Sequence, residues 1–267
     1  MSKSCYAPAT PPEADLITDP NFYLAAIPAV LIYGMAKGGF GGGIVVIAVP
    51  LMALVVSPVQ AAAILLPILC VMDLLALWVF RGRWILPELR IVVPASLVGI
   101  GIGTLSFEYL SADLIRLLLG IIAITFTLHY AWERYHGRAE SQQLFGPGVG
   151  VIAGGTAGFT SFVAHAGAPP LNMYLLRRGM DRTSFVATAT VFFAVANFVK
   201  LVPYTWLGQL DISNLSTSLV LAPLAPIGIA FGKWLHDRVS DSFFFTFMYA
   251  TLLLVGIKLT WDGLSAI

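Results

Sequence analysis

Charge is scarce in this chain of 267 residues: only 11% are Asp, Glu, Lys or Arg, against 58% that are hydrophobic. A soluble globule needs roughly a quarter of its residues charged to clothe its surface, so that class is excluded. The formal net charge of +1 likewise excludes a broadly basic nucleic-acid surface. Cysteine is almost absent. Cys5 lies in the first segment and Cys70 inside an apolar run, so neither a disulfide framework nor a thiolate metal site is expected. The motifs G-x-x-x-x-G-K-[ST], H-E-x-x-H, C-x-x-C and G-x-S-x-G do not occur. ATP-driven pumping by this chain and hydrolysis of those types therefore have no support, and the expectation is a protein that is not an enzyme and uses no cofactor or metal. Residues 1–20, with Pro8, Pro11, Pro12, Glu13, Asp15 and Asp19, lack the basic start and short apolar run of a cleavable signal. They read as a flexible tail.

What the chain does have is apolar blocks, over residues 22–56, 59–80, 91–107, 112–130, 146–176, 183–200, 212–232 and 242–259. A helical span needs about 20 such residues, which makes this an all-α polytopic integral membrane protein. Two blocks are too long for one crossing. A straight helix over 22–56 would measure about 52 Å and one over 146–176 about 46 Å, while the hydrocarbon core is about 30 Å thick. The first block divides at Gly38–Gly43, because each glycine costs a helix interior about 1 kcal/mol. The second divides near Gly154-Gly155, Gly158, Gly167 and Pro169-Pro170, since proline removes a backbone donor and clashes with the preceding turn.

Basic residues collect in loops: Arg81, Arg83 and Arg90; Arg134 and Arg138; Arg177, Arg178 and Arg182; Lys233 and Arg238. All four loops fall on the cytoplasmic side only if each divided block is a hairpin that returns to the face it entered from. Both termini are then periplasmic. The halves, 21–135 and 144–262, each become a Gly/Pro-broken hairpin followed by three transmembrane helices, running in opposite senses as inverted-topology repeats. Echoes support the register: Gly39-Phe40 answers Gly158-Phe159, and Pro94, Gly99, Gly103 and Ser111 recur as Pro223, Gly228, Gly232 and Ser240. The pairs Gly99/Gly103 and Gly228/Gly232 read as close helix contacts. Hairpin arms of about 15 residues fall short of the usual 17 to 25, which leaves open whether they cross or turn back midway.

Between Asp19 and Asp73 the one ionised side chain is Lys37, directly before Gly38-Gly39-Phe40-Gly41-Gly42-Gly43. Two broken hairpins in equivalent places bring their tips toward the bilayer middle, where bare backbone is tolerated only around a cavity. Amides of the glycine tip, the start of a helix near Ile44 and the Lys37 ammonium would favour an anion. From the second tip Thr160, Ser161 and His165 supply donors. For Lys37 a rival reading is a lysine that snorkels to the headgroups. His165 is either a structural donor or a substrate contact and proton relay. Asp73 is either the partner of Lys37 or a proton carrier, and Asn197 holds a comparable place in the second half as a neutral orienting group. Gln60 and Asn172 read as interhelical glue.

These residues resemble a known family. Lys37–Gly43, then Ala48-Val49-Pro50-Leu51, Pro58, Ala61-Ala62, Leu66-Pro67, Asp73 and Ala76-Leu77, are similar to the first-half pattern of the sulfite exporter TauE/SafE family, also called toluene sulfonate uptake permeases. Gly158-Phe159-Thr160-Ser161, Ala164-His165-Ala166-Gly167-Ala168-Pro169-Pro170 and Tyr174-Leu175-Leu176 resemble its second motif, with Ala168 where glycine is common. The resemblance covers about residues 22–260 and implies a carrier in the bacterial inner membrane for small sulfur-containing or carboxylate anions, such as sulfite, sulfonates or thiosulfate. The expected partners are that anion, the lipid bilayer and protons as a coupling ion. A passive anion channel is the alternative. A membrane scaffold or subunit of an enzyme complex stands last, since no loop exceeds about 15 residues, far less than an ordinary interface requires.

Overall fold

The computed structural model describes residues 16–39, 48–53, 55–109, 111–135 and 145–265. Among them the chain is helical and contains no strand. Helices α1 (Pro20–Gly39) and α2 (Ala48–Met52) lie in the first long block, followed by α3 (Pro58–Val79), α4 (Leu86–Ser106) and α5 (Ala112–Tyr135). Helices α6 (Pro147–Ala164) and α7 (Ala168–Leu176) form the second, followed by α8 (Arg182–Trp206), α9 (Ile212–Leu221), α10 (Leu224–Arg238) and α11 (Asp241–Ser265).

Local chemistry sets the helix starts. Ser57 caps α3 by accepting from the Gln60 amide at 3.1 Å, and Pro58 occupies the first turn, where its missing N–H costs nothing. Asp181 caps α8 through the Thr183 and Ser184 amides, both at 3.0 Å, and Asp211 caps α9 through the Asn214 amide at 2.7 Å. Gly82 (φ 75°) and Gly179 (φ 65°) supply the left-handed turns that precede α4 and α8.

The molecule is apolar outside as well as inside. Leu24, Leu105, Val202 and Leu219 are each more than 70% exposed, and Trp78, Trp206 and Trp261 project from the last turns of α3, α8 and α11. Water would not tolerate such a belt, whereas lipid with aromatic residues at its interfaces requires one. Five helices, α1, α3, α4, α6 and α8, are long and apolar enough to cross a membrane, and a sixth crossing arises if α9 and α10, bent by 45°, count together.

The second long block is divided, as its length demands, with unequal arms; in the first, α1 runs through Gly38 and Gly39, and residues 40–47 lie outside the described ones. Helix α1 has 20 residues and α6 has 18, which at 1.5 Å per residue is about 30 and 27 Å, enough to span rather than the short arms of the sequence reading. Helix α7 has only 9 residues. The second break falls at His165–Gly167, while Gly154, Gly155 and Gly158 remain inside α6. Those glycines serve packing: a β-carbon on Gly154 would lie 2.5 Å from the Val92 carbonyl oxygen of α4, and one on Gly99 would lie 2.8 Å from the Phe159 amide. The contact between α1 and α10 is just as close, since a β-carbon on Gly34 would meet the Gly228 Cα at 2.7 Å. The G-x-x-x-G pairs are thus helix crossings, as expected from their spacing. The principal packing partners are α1 with α10, α4 with α6, α5 with α11, and α3 with α8.

Candidate functional site

Helix α8 presents Phe193, Asn197, Lys200 and Tyr204 at helical spacing i, i+4, i+7 and i+11, one continuous stripe. The polar interior is built on it. Asn197 Nδ2 donates to Asp73 Oδ2 of α3 at 2.6 Å, and the other carboxylate oxygen of Asp73 accepts from the Lys37 ammonium of α1 in an ion pair. Asp73 is fully buried and Lys37 is only 6% exposed. Lys37 also lies 5.8 Å from the Tyr33 ring centroid and 6.0 Å from that of Phe193. The snorkelling reading of Lys37 is therefore set aside: its ammonium stays in the core and finds its counter-charge there.

One turn farther along α8, Lys200 Nζ contacts the Ser161 carbonyl oxygen at 2.9 Å, the Ser161 hydroxyl at 3.0 Å and His165 Nδ1 at 2.8 Å. His165 Nε2 lies 2.9 Å from the Ala62 carbonyl of α3, so that nitrogen carries the hydrogen and Nδ1 accepts from the lysine. Tyr33 of α1 donates to the His165 carbonyl at 3.4 Å, and the Tyr204 ring stacks on the imidazole at 6.2 Å. His165 thus links α1, α3 and α8 at the end of α6, and its backbone makes this possible. At φ 51° it occupies the left-handed region that turns the chain out of α6. Gly167 completes the turn, because a β-carbon there would stand 2.5 Å from the Ala157 carbonyl oxygen and 2.9 Å from Ser161 Cβ.

Of the residues singled out in the sequence, the structure gathers Lys37 and Asn197 around the Asp73 carboxylate, and Ser161 and His165 around Lys200 one turn farther along α8. Thr160 is buried beside them, but its hydroxyl donates to its own helix at the Thr156 carbonyl, 2.8 Å away. Gly38 and Gly39 end α1 against α10, where a β-carbon on Gly38 would meet Ile229 Cα at 3.0 Å. The Gly39 carbonyl accepts from His236 Nδ1 at 2.7 Å. Phe40, Gly41, Gly42 and Gly43, together with the helix start near Ile44, lie outside the described residues. Gln60 makes the expected interhelical bond, donating to Asn214 of α9 at 3.3 Å. Asn172 is buried in α7, and its Oδ1 is the buried side-chain polar atom without a hydrogen-bond partner among the described residues.

Lys200 stands at the last position of the apolar block 183–200, where the apolar pattern does not mark it as a core residue. Its signal was present: an ionisable side chain three residues after Asn197 shares that residue's helical face.

The basic loop after α7 closes a second network at the helix ends. Glu88, at the start of α4, accepts from Tyr174 at 2.7 Å and from Arg178 Nε at 2.8 Å, while Arg178 Nη1 reaches the Phe145 carbonyl at 2.7 Å. Arg182 donates to the His236 and Val239 carbonyls at 2.6 and 2.9 Å. A cavity of about 510 Å³ between α5, α6 and α7, lined by residues such as Ile121, Ile152, Ala153 and Pro170, is almost wholly apolar and offers no charge to an anion. Among the described residues no group of His, Cys, Asp and Glu is placed to hold a metal ion.

Long apolar helices around a buried knot of charge define a polytopic membrane protein. A family model described as Sulfite exporter TauE/SafE matches residues 26–259, and the chain belongs to that family. It is thus a membrane protein of a sulfite and anion exporter family. No curated protein and no solved structure matches the chain.

Proposed function

We propose that this protein is a secondary transporter that carries small sulfur-containing or carboxylate anions, of the sulfite, sulfonate or thiosulfate kind, across the bacterial inner membrane by alternating access. One observation carries the reading: among the described residues two buried lysines lie along one face of α8, Lys37 paired with Asp73 and Lys200 bound only to Ser161 and His165, which leaves positive charge for an anion to balance. Residues from both halves of the chain build the knot, which is where repeat-built carriers hold substrate. Reciprocal packing of α1 on α10 and α4 on α6 supports two related halves, 21–135 and 144–262. Their opposite sense, with both termini periplasmic, is supported by the loop arginines. The family's sulfite-exporter description supports the anion class.

The test is counterflow of radiolabelled sulfite in proteoliposomes preloaded with unlabelled sulfite, with methanesulfonate, thiosulfate and acetate as competitors. Saturable counterflow is expected, and Lys37→Ala should lower it at least tenfold. Because that change leaves Asp73 buried without its partner, the double variant Lys37→Ala/Asp73→Asn separates loss of function from loss of fold. Wild-type rates in both variants would remove Lys37 from the site, and ohmic, non-saturating currents would replace the carrier by a channel.

A further inference from the structure

The two lysines of the core are not equivalent. Lys37 is neutralised by Asp73, whose carboxylate is also held by Asn197, so that the pair presents no net charge. Lys200 contacts a carbonyl, a hydroxyl and a neutral imidazole, and none of these is an anion. Its side chain is fully buried. The groups around it are Lys37 and Tyr33 on α1, Asp73 and Cys70 on α3, His165 and Ser161 at the end of α6, and Asn197 and Tyr204 on its own helix. The titratable groups of α4, Glu88 and Arg90, sit in its first turns, with Glu88 bound to Arg178.

An unbalanced charge in a medium of low dielectric constant can be cancelled in two ways: an anion arrives, or a proton leaves. We propose that Lys200 couples these two events, keeping its proton while an anion occupies the core and releasing it through His165 when the anion departs. This rests on the anion-carrier reading above. The path is short and balanced. The N–H bond at Lys200 Nζ breaks and one forms at His165 Nδ1, 2.8 Å away; the positive charge passes from ammonium to imidazolium, whose Nε2–H stays on the Ala62 carbonyl. The imidazolium gives the proton to water once the core opens. Ser161 fits the same scheme: its Oγ accepts from Lys200, and among the described residues no acceptor takes its own hydrogen, which leaves a donor for an oxyanion beside the charge. One surplus charge matches one monoanion, so anion and proton move together in equal number and the net transfer is electroneutral. The ligand class is accordingly a singly charged oxyanion, which for sulfite is the hydrogensulfite ion, and thiosulfate, a dianion, should compete poorly.

Proteoliposomes containing the full chain separate the possibilities, with radiolabelled sulfite measured in two modes: exchange at equal pH on both sides, and net flux under an imposed gradient of one pH unit. Wild type should show both, the gradient accelerating net flux several-fold. Lys200→Arg keeps a charge that does not dissociate, so its exchange should fall below that of wild type yet stay several-fold above that of Lys200→Met, while the response to the gradient disappears. Lys200→Met, an apolar side chain of similar reach in an apolar core, should remain folded by thermal unfolding and lose exchange at least tenfold. A gradient response in Lys200→Arg equal to that of wild type, unaltered exchange in Lys200→Met, or exchange without any gradient response in wild type would each overturn the coupling role while leaving the carrier intact. Absence of sulfite exchange in wild type would instead overturn the carrier reading and this inference with it.

Discussion

At the scale of single residues, His165 does two jobs that pull against one another. Its ring binds Lys200 and the Ala62 carbonyl, yet its backbone sits at φ 51°, where a β-carbon is unfavourable by roughly 1–2 kcal/mol. The backbone contribution can be separated from that of the ring. His165→Gly and His165→Ala both delete the imidazole, but the glycine variant relieves the strain and should unfold in detergent with about 1 kcal/mol more stability than the alanine variant. Equal midpoints would show that the turn accepts a side chain without penalty. Lys37 and Asp73 were legible in the sequence because a lone charge in an apolar run has to be buried with a partner or carried to the surface. Lys200 was not, because at the boundary of a block a lysine in the core and one at the membrane surface look alike until the helix is seen to continue to Trp206.

At the scale of elements, the charged cap of α8 gives a pH-dependent handle outside the membrane. The Asp181 carboxyl is held below the usual carboxylate range by hydrogen bonds, first from the Ser184 hydroxyl and then from the Ser184 and Thr183 amides. A depressed folded value means that the ionised cap contributes stability above the unfolded value of about 3.9, and that the contribution is lost as pH falls through the folded value. Asp181→Ala should therefore lower stability by about 1 kcal/mol at neutral pH, with a gap to wild type that is constant down to about pH 5 and closes below about pH 4. Thermal unfolding across that range measures it, and a gap that persists unchanged at pH 3 would contradict a charged cap. Length forced the right answer for the second long block, which breaks between α6 and α7. Elements were read less well at the glycines. A missing β-carbon allows either a break or a close crossing; Gly154 and Gly158 make crossings inside α6, and the difference lies in the neighbouring helix, which the local sequence does not contain.

For the whole molecule, the orientation in the bilayer rests on the loop arginines, and it predicts sides. In a background with Cys5→Ser and Cys70→Ala, Arg83→Cys and Met180→Cys should resist a membrane-impermeant maleimide applied to intact cells, whereas Gln209→Cys, at the other end of α8, should react. Reaction at Met180→Cys would reverse the loop that follows α7 and with it the hairpin topology. The close helix crossings were legible through spaced glycines, while the choice of partners, α1 with α10 and α4 with α6, was not, because it depends on which helix meets which.

Each half gives its opening helix to the other: α1 packs on α10, and α6 packs on α4. With glycine backbones in near contact at both crossings, those joints leave no room for one helix to slide across its partner. The covalent halves are consequently not mechanical halves. Any rigid body within this fold has to be assembled from segments of both, because neither α1 nor α6 can move without the helix of the other half that it grips.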